Sequence, residues 1–177
     1  MLGWRWKTFF WGKSKGEGVL VKKITKIWVR RVGVALFVIY VLLLVYFLFF
    51  SEEYGRVAAA EREYQYNLIP FVEIRRFWIY REQLGAFAVF TNLFGNIIGF
   101  IPFGVLVPVI FQEFRDGGLI VLSGFGLSLL VETIQLVTKV GSFDVDDMML
   151  NTLGAFLGYV IFKICDKMRR KYYGKEV

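Results

Sequence analysis

Apolar residues along this chain fall into four long runs, with the polar residues gathered between and beyond them. The first run, Val32 to Phe50, has 19 residues and no charge, enough for a helix to cross a hydrocarbon core of roughly 30 Å. The second, Leu84 to Phe111, has 28 residues and is punctuated by Asn92, Gly95, Asn96, Gly99, Pro102, Gly104 and Pro108. At 1.5 Å per residue it would reach about 42 Å, so it must tilt, kink or begin outside the core, and Pro102 is expected to supply a kink. A third run covers Leu119 to Val137 and a fourth about Met148 to Cys165. The pattern predicts an all-α integral membrane protein with four transmembrane helices.

Between the first two runs lies the one long polar segment, residues 51–83, which mixes five arginines with six acids. Pro70 biases Ile69 toward an extended conformation and marks a turn. After it Phe71, Ile74, Phe77, Trp78 and Arg81 recur at helical spacing, as in a short amphipathic helix at a membrane interface; an ordinary connecting loop with one helical turn is the plainer alternative. Gln112 to Gly118 reads as a short polar turn.

Composition agrees with this reading. Of 177 residues 56% are hydrophobic and 19% aromatic, and the mean hydropathy is +0.53, far above a soluble domain. The net charge of +7 is concentrated at the two ends of the chain, where it orients a membrane protein rather than binding nucleic acid. Residues 1–31 hold nine Lys and Arg against one acid, with Trp4, Trp6, Phe9, Phe10 and Trp11 interleaved, as in a segment on an anionic membrane surface or a tail that sets topology. Residues 166–177 form a basic tail. With both termini cytoplasmic, 16 of the 22 Lys and Arg lie inside and 6 outside, which is the expected topology. A cleavable signal peptide fits poorly, because the first run is too long and ends in Ser51-Glu52-Glu53.

No histidine is present and Cys165 is the single cysteine, so zinc, haem and disulfide frameworks lack ligands, and Ser-His-Asp or Cys-His catalysis lacks its base. Carboxylates, amides and hydroxyls remain. Asp144, Asp147, Asn151, Gly154 and Gly158 follow one another at intervals of three and four, one stripe if the segment is helical. Gly124, Ser128, Glu132 and Gln135 make a second stripe, and Asn92 with Asn96 a third. The predicted topology brings Asn92, Asn96, Glu132, Gln135, Asp144, Asp146 and Asp147 to one depth at the outer side, with the Asn67 to Phe71 segment on that side and Asn151 one turn below Asp147. Asn67, Asn92, Asn96, Glu132, Gln135, Asp144, Asp147 and Asn151 are therefore the expected ligand-binding residues, with Glu132, Asp144 and Asp147 the candidates for any catalysis. Asp144 has a structural alternative as a helix cap, and Asp146 is expected to point elsewhere. Glu132 has another as a polar clasp between helices. The oxygens would suit Mg²⁺ or Ca²⁺, but no metal-loop spacing occurs, no metal is assigned and no cofactor follows. The pairs Gly95 with Gly99, Gly124 with Ser128, and Gly154 with Gly158 are expected to let helices pack closely.

The chain resembles the VanZ-like membrane proteins in Asn67-Leu68-Ile69-Pro70-Phe71, in Asn92-x-x-Gly95-Asn96-x-x-x-Phe100-x-Pro102-x-Gly104, in Glu132-x-x-Gln135, and in Phe143-Asp144-x-Asp146-Asp147-x-x-x-Asn151-Thr152-x-Gly154-x-x-x-Gly158-Tyr159. These motifs cover roughly residues 35 to 165, and residues 32–165 are expected to form a VanZ-like membrane domain. Many relatives carry an arginine just before the aspartates; here Lys139-Val140-Gly141-Ser142 stand there. The resemblance implies a protein of the bacterial cell membrane that affects the envelope and glycopeptide (teicoplanin) tolerance, and it supplies no reaction. The leading expectation is a pocket for a lipid or cell-wall precursor headgroup. Alternatives are a transferase or hydrolase acting on a lipid-linked envelope substrate, and a structural or partner protein without a ligand. Membrane lipids and a lipid-linked precursor are the expected partners, nucleic acid is not, and no oligomeric state follows.

Overall fold

The computed structural model describes the backbone of residues 15–50 and 63–173, and the side chains of 27–47 and 63–172. The aromatic residues near the start, from Trp4 to Trp11, and the last four residues of the basic tail lie outside the described residues. Among the described residues the elements follow in the order α1 (Lys15–Phe50), β1 (Tyr66–Asn67), α2 (Val72–Ile79), α3 (Arg81–Leu84), α4 (Ala86–Ile110), a 3-10 turn (Gln112–Arg115), α5 (Gly117–Thr138), β2 (Phe143–Asp144) and α6 (Val145–Tyr173). Among the described residues four helices are long and apolar enough to cross a membrane, over Ile27–Phe47, Ala86–Ile110, Gly117–Thr138 and Val145–Tyr172. The chain is an all-α integral membrane protein.

Two of these helices are longer than their apolar runs. The backbone of α1 is already helical from Lys15, so residues 15–31 extend the first helix rather than preceding it. The last helix likewise continues past Cys165 to Tyr173. There Asp166 accepts hydrogen bonds from Arg169 at 2.5 Å and Arg170 at 2.7 Å, pairs at the i, i+3 and i, i+4 spacings that meet on one helix face. The second span continues as one helix through Pro102 and Pro108.

Close packing centres on α4 and α6. A Cβ placed on Gly104 would strike the backbone of Ala155 and Tyr159, one on Gly154 the backbone of Ile97, and one on Gly158 the backbone of Ile101. The two helices thus touch main chain to main chain, which any larger residue would prevent. Gly124 of α5 serves the same purpose, since a Cβ there would fall 2.6 Å from that of Ala155. Gly95 and Gly99 do not: nothing lies within 4 Å of a Cβ at either among the described residues. Gly104, further along α4, makes the close approach instead.

An apolar core of Tyr40, Phe103, Val107, Ile120, Ala155, Tyr159 and Phe162 fills one half of the bundle. Near it α1 leans on α4, with Gly33 against Val109 and Ile110 and the Phe37 ring 6.5 Å from that of Phe103. The Tyr159 hydroxyl donates to the Arg115 carbonyl at 2.7 Å, tying α6 to the turn between α4 and α5. The opposite half, at the start of α4, the end of α5 and the start of α6, holds the polar residues.

Candidate functional site at the polar end of the bundle

Two segments of the chain meet at this end, the one that leads into α4 and the turn between α5 and α6, and backbone contacts fix both. Helix α5 stops at Lys139, whose left-handed φ of 56° turns the chain, and the Gln135 carbonyl accepts the amides of Val140 and Gly141. The chain then pairs β2 with β1 in parallel, Tyr66 against Phe143 and Asn67 against Asp144. Two-residue strands carry no periodicity, so this bridge leaves no mark in the sequence. It places Asn67 so that its amide donates to Asp144 Oδ1 at 3.1 Å.

Asp144 caps α6. Its Oδ1 accepts the Asp146 amide at 2.8 Å, the ordinary use of an aspartate at a helix start. Burial holds its carboxyl above the usual carboxylate value, against the opposing pull of the Asp146 amide and Asn67. The Asp144 amide in turn donates to Glu132 Oε2 at 3.0 Å. Glu132 is 2% exposed although it lies about 9 Å, six residues, from the end of α5. A carboxylate inside a span costs on the order of 2.5 to 3.5 kcal/mol at the helix centre and less near its ends, and this contact supplies part of the compensation.

Asp147, half-buried one turn along α6, accepts a hydrogen bond from the Asn96 amide of α4 at 2.6 Å. Asn151, a further turn down and buried, donates to the Ser128 hydroxyl of α5 at 2.9 Å. Its other amide atom, Oδ1, is buried with no hydrogen-bond partner among the described residues. Asn67, Asn96, Glu132, Asp144, Asp147 and Asn151 are thus brought together. Asn92 is not part of the network; its amide donates to the Ala88 carbonyl of its own helix at 2.8 Å. Gln135 lies at the turn ending α5, its side chain packed near Gly141.

The Asp146 carboxylate is fully buried and holds the start of α2. Its carboxylate accepts the amides of Phe71, of Glu73 at 2.8 Å and of Ile74 at 3.1 Å. These are free amides at the start of α2, which has no side-chain cap of its own, and Phe71 there has a left-handed φ of 67°. A carboxylate at a helix start is favourable, and here it comes from 75 residues away. The sequence carries only a partial signal for it: a helix beginning at Pro70-Phe71 contains no local capping residue, which leaves its first amides to water or to a remote acceptor. Beside it, Glu73 pairs with Arg76 at 2.6 Å; burial raises the Glu73 carboxyl while Arg76 lowers it and Asp144 and Asp146 raise it further. The Lys139 ammonium, where relatives are expected to carry an arginine nearby, stacks on the Tyr64 ring at 4.6 Å.

Chemically, the arrangement is a set of hydrogen-bond acceptors reaching two helical turns into the bundle below that loop. Among the described residues no three His, Cys, Asp or Glu side chains are arranged to hold a metal ion.

The VanZ/LLP1 family model matches residues 37–166. The chain belongs to the VanZ/LLP1 family. Every polar residue of the network falls inside the matched region. Protein VanZ of Enterococcus faecium is 32% identical over 105 residues, which are 58% of this chain and 63% of that protein. The chain therefore spans less than two thirds of the length of that VanZ relative. No solved structure matches this VanZ/LLP1 chain.

Proposed function

We propose that this protein acts on the bacterial cell envelope and affects glycopeptide (teicoplanin) tolerance by binding a lipid or cell-wall precursor headgroup at the polar end of its bundle. The observation that carries this reading is the convergence itself. Side chains from β1, α4, α5 and α6 meet in one hydrogen-bonded network, through Asn67 with Asp144, Asn96 with Asp147, and Glu132 with the Asp144 amide. Capping α6 needs one acid. Glu132 and Asp147 exceed that need, and buried ionisable groups within spans are more often kept for a ligand than for packing.

The excess of Lys and Arg at the two ends of the chain supports cytoplasmic termini, so the network belongs to the outer leaflet, with residues 32–165 as the membrane domain. In that orientation α2 lies at the interface. Ile69, Phe71, Trp78 and Tyr80 are each more than half exposed, the aromatic and apolar content of an interfacial segment.

The test is teicoplanin susceptibility in cells that carry wild-type protein or the Glu132→Gln and Asp147→Asn variants at matched membrane abundance. Variants that lose the wild-type effect support the reading; variants that keep it in full oppose it.

A further inference from the structure

The polar network has an imbalance that narrows what it can recognise. Glu132, Asp144 and Asp146 are 2%, 5% and 0% exposed, and Asp147 is half-buried beside them. Among the described residues, every hydrogen bond that these four carboxylates accept comes from a neutral donor. The donors are backbone amides and the side-chain amides of Asn67 and Asn96. Asp146 is answered in another way, since it sits on the positive end of α2. The other three are hydrogen-bonded through neutral amides, although buried carboxylates are ordinarily paired with a cation or neutralised.

A second observation is independent of the acids. Asn151 lies one turn beyond Asp147 on the same stripe of α6, is 2% exposed, and uses its amide nitrogen on Ser128. Its Oδ1 is an acceptor without a donor among the described residues, and a polar atom left unpaired in the interior is destabilising. The carboxylates call for a positive charge and Asn151 Oδ1 for a hydrogen-bond donor, and one cationic group with N–H donors supplies both.

We propose that the group recognised here is a primary ammonium, carried on the headgroup of a membrane lipid or a lipid-linked precursor; the proposal rests on the headgroup-binding reading above. An –NH₃⁺ group brings one charge and three N–H donors, which matches carboxylates and an amide oxygen together. A phosphate alone would be repelled by Glu132, Asp144 and Asp147. A trimethylammonium would answer the charge and leave Asn151 Oδ1 unpaired. Half-buried Asp147 is where the ammonium first meets the site, and Asn151 is the acceptor below it.

The experiment uses the full-length protein in detergent micelles, with native mass spectrometry of retained lipid. The probes are phosphatidylethanolamine, phosphatidylcholine, phosphatidylglycerol, and a lipid-linked wall precursor with its amine free or acetylated. The expected result is retention of phosphatidylethanolamine, of the free-amine precursor, or of both, about tenfold tighter than that of the lipids without a primary amine. Which amine carrier is retained identifies the source. Asn151→Ala and Asp147→Asn should remove that preference, and because the lipid-side comparison uses wild-type protein, it stands even where a variant folds poorly. Equal retention of all headgroups, still weakened by Asp147→Asn, overturns the ammonium assignment and leaves headgroup binding intact. No retention of any probe overturns both.

Discussion

Glu132 Oε2 accepts the Asp144 backbone amide at 3.0 Å, so a carboxylate of α5 holds the first turn of α6. Replacing Glu132 separates charge from hydrogen bonding. Glu132→Gln keeps an acceptor for the Asp144 amide, and Glu132→Leu leaves that amide buried and unpaired, a loss of about 1 to 3 kcal/mol. In a denaturation series in mixed micelles the Leu variant should be clearly less stable than the Gln variant. Equal stability of the two would show that the contact contributes little.

Asp146 is expected to control the loop that carries α2. Asp146→Ala removes the acceptor from the amides of Phe71, Glu73 and Ile74 together, and hydrogen bonds to a charged group are worth about 1.5 to 3 kcal/mol each. Hydrogen exchange at residues 71 to 74 should accelerate strongly in the variant while exchange in α4 stays slow. Unchanged exchange at those amides would contradict the assigned role.

The glycines divide into two classes with opposite outcomes. Gly154→Ala and Gly158→Ala place a methyl against the α4 backbone and should lower the melting temperature, by about 1 to 3 kcal/mol or more of lost stability. Gly95→Ala and Gly99→Ala meet no neighbour among the described residues and should be neutral or stabilising by about 0.5 to 1 kcal/mol through helix propensity. Thermal unfolding of the four single variants checks the division.

Asp144 gives a pH dependence with a definite sign. Burial raises its carboxyl in the folded protein, so the folded state holds the proton more tightly than the unfolded one. Stability from this group is therefore greatest below the ordinary carboxylate pKa, about 4, and declines as pH rises from there through the folded value. Asp144→Asn removes the titration while keeping an oxygen for the Asp146 amide. The variant should show a shallower fall of stability in that window than wild type; a parallel or steeper fall would contradict the shift.

The four spans are legible in the sequence because each is a long run of apolar residues, a signal that depends on composition alone. The meeting of Asn96 with Asp147 and of Glu132 with the start of α6 follows from one further step, since alternating spans bring their ends to a shared side. What escapes sequence reading depends on partners distant in the chain. The Asn67 to Asp144 bridge involves two residues per strand, too few for a period. Gly95 and Gly99 share the spacing of Gly154 and Gly158, and only the rotation of α4 decides which glycines face α6. Asp146 stands apart from the expected binding residues because its position on the helix points away from Asp147, and that same direction carries it to α2.

The central claim is that Glu132, Asp144 and Asp147 form a site for an envelope headgroup rather than a clasp between helices. Equilibrium binding of a lipid-linked cell-wall precursor to purified wild-type protein, and to Glu132→Gln and Asp147→Asn variants shown to be folded, tests it most directly. The folded variants should bind about tenfold or more weakly than wild type. Binding that is unchanged in both would contradict the claim.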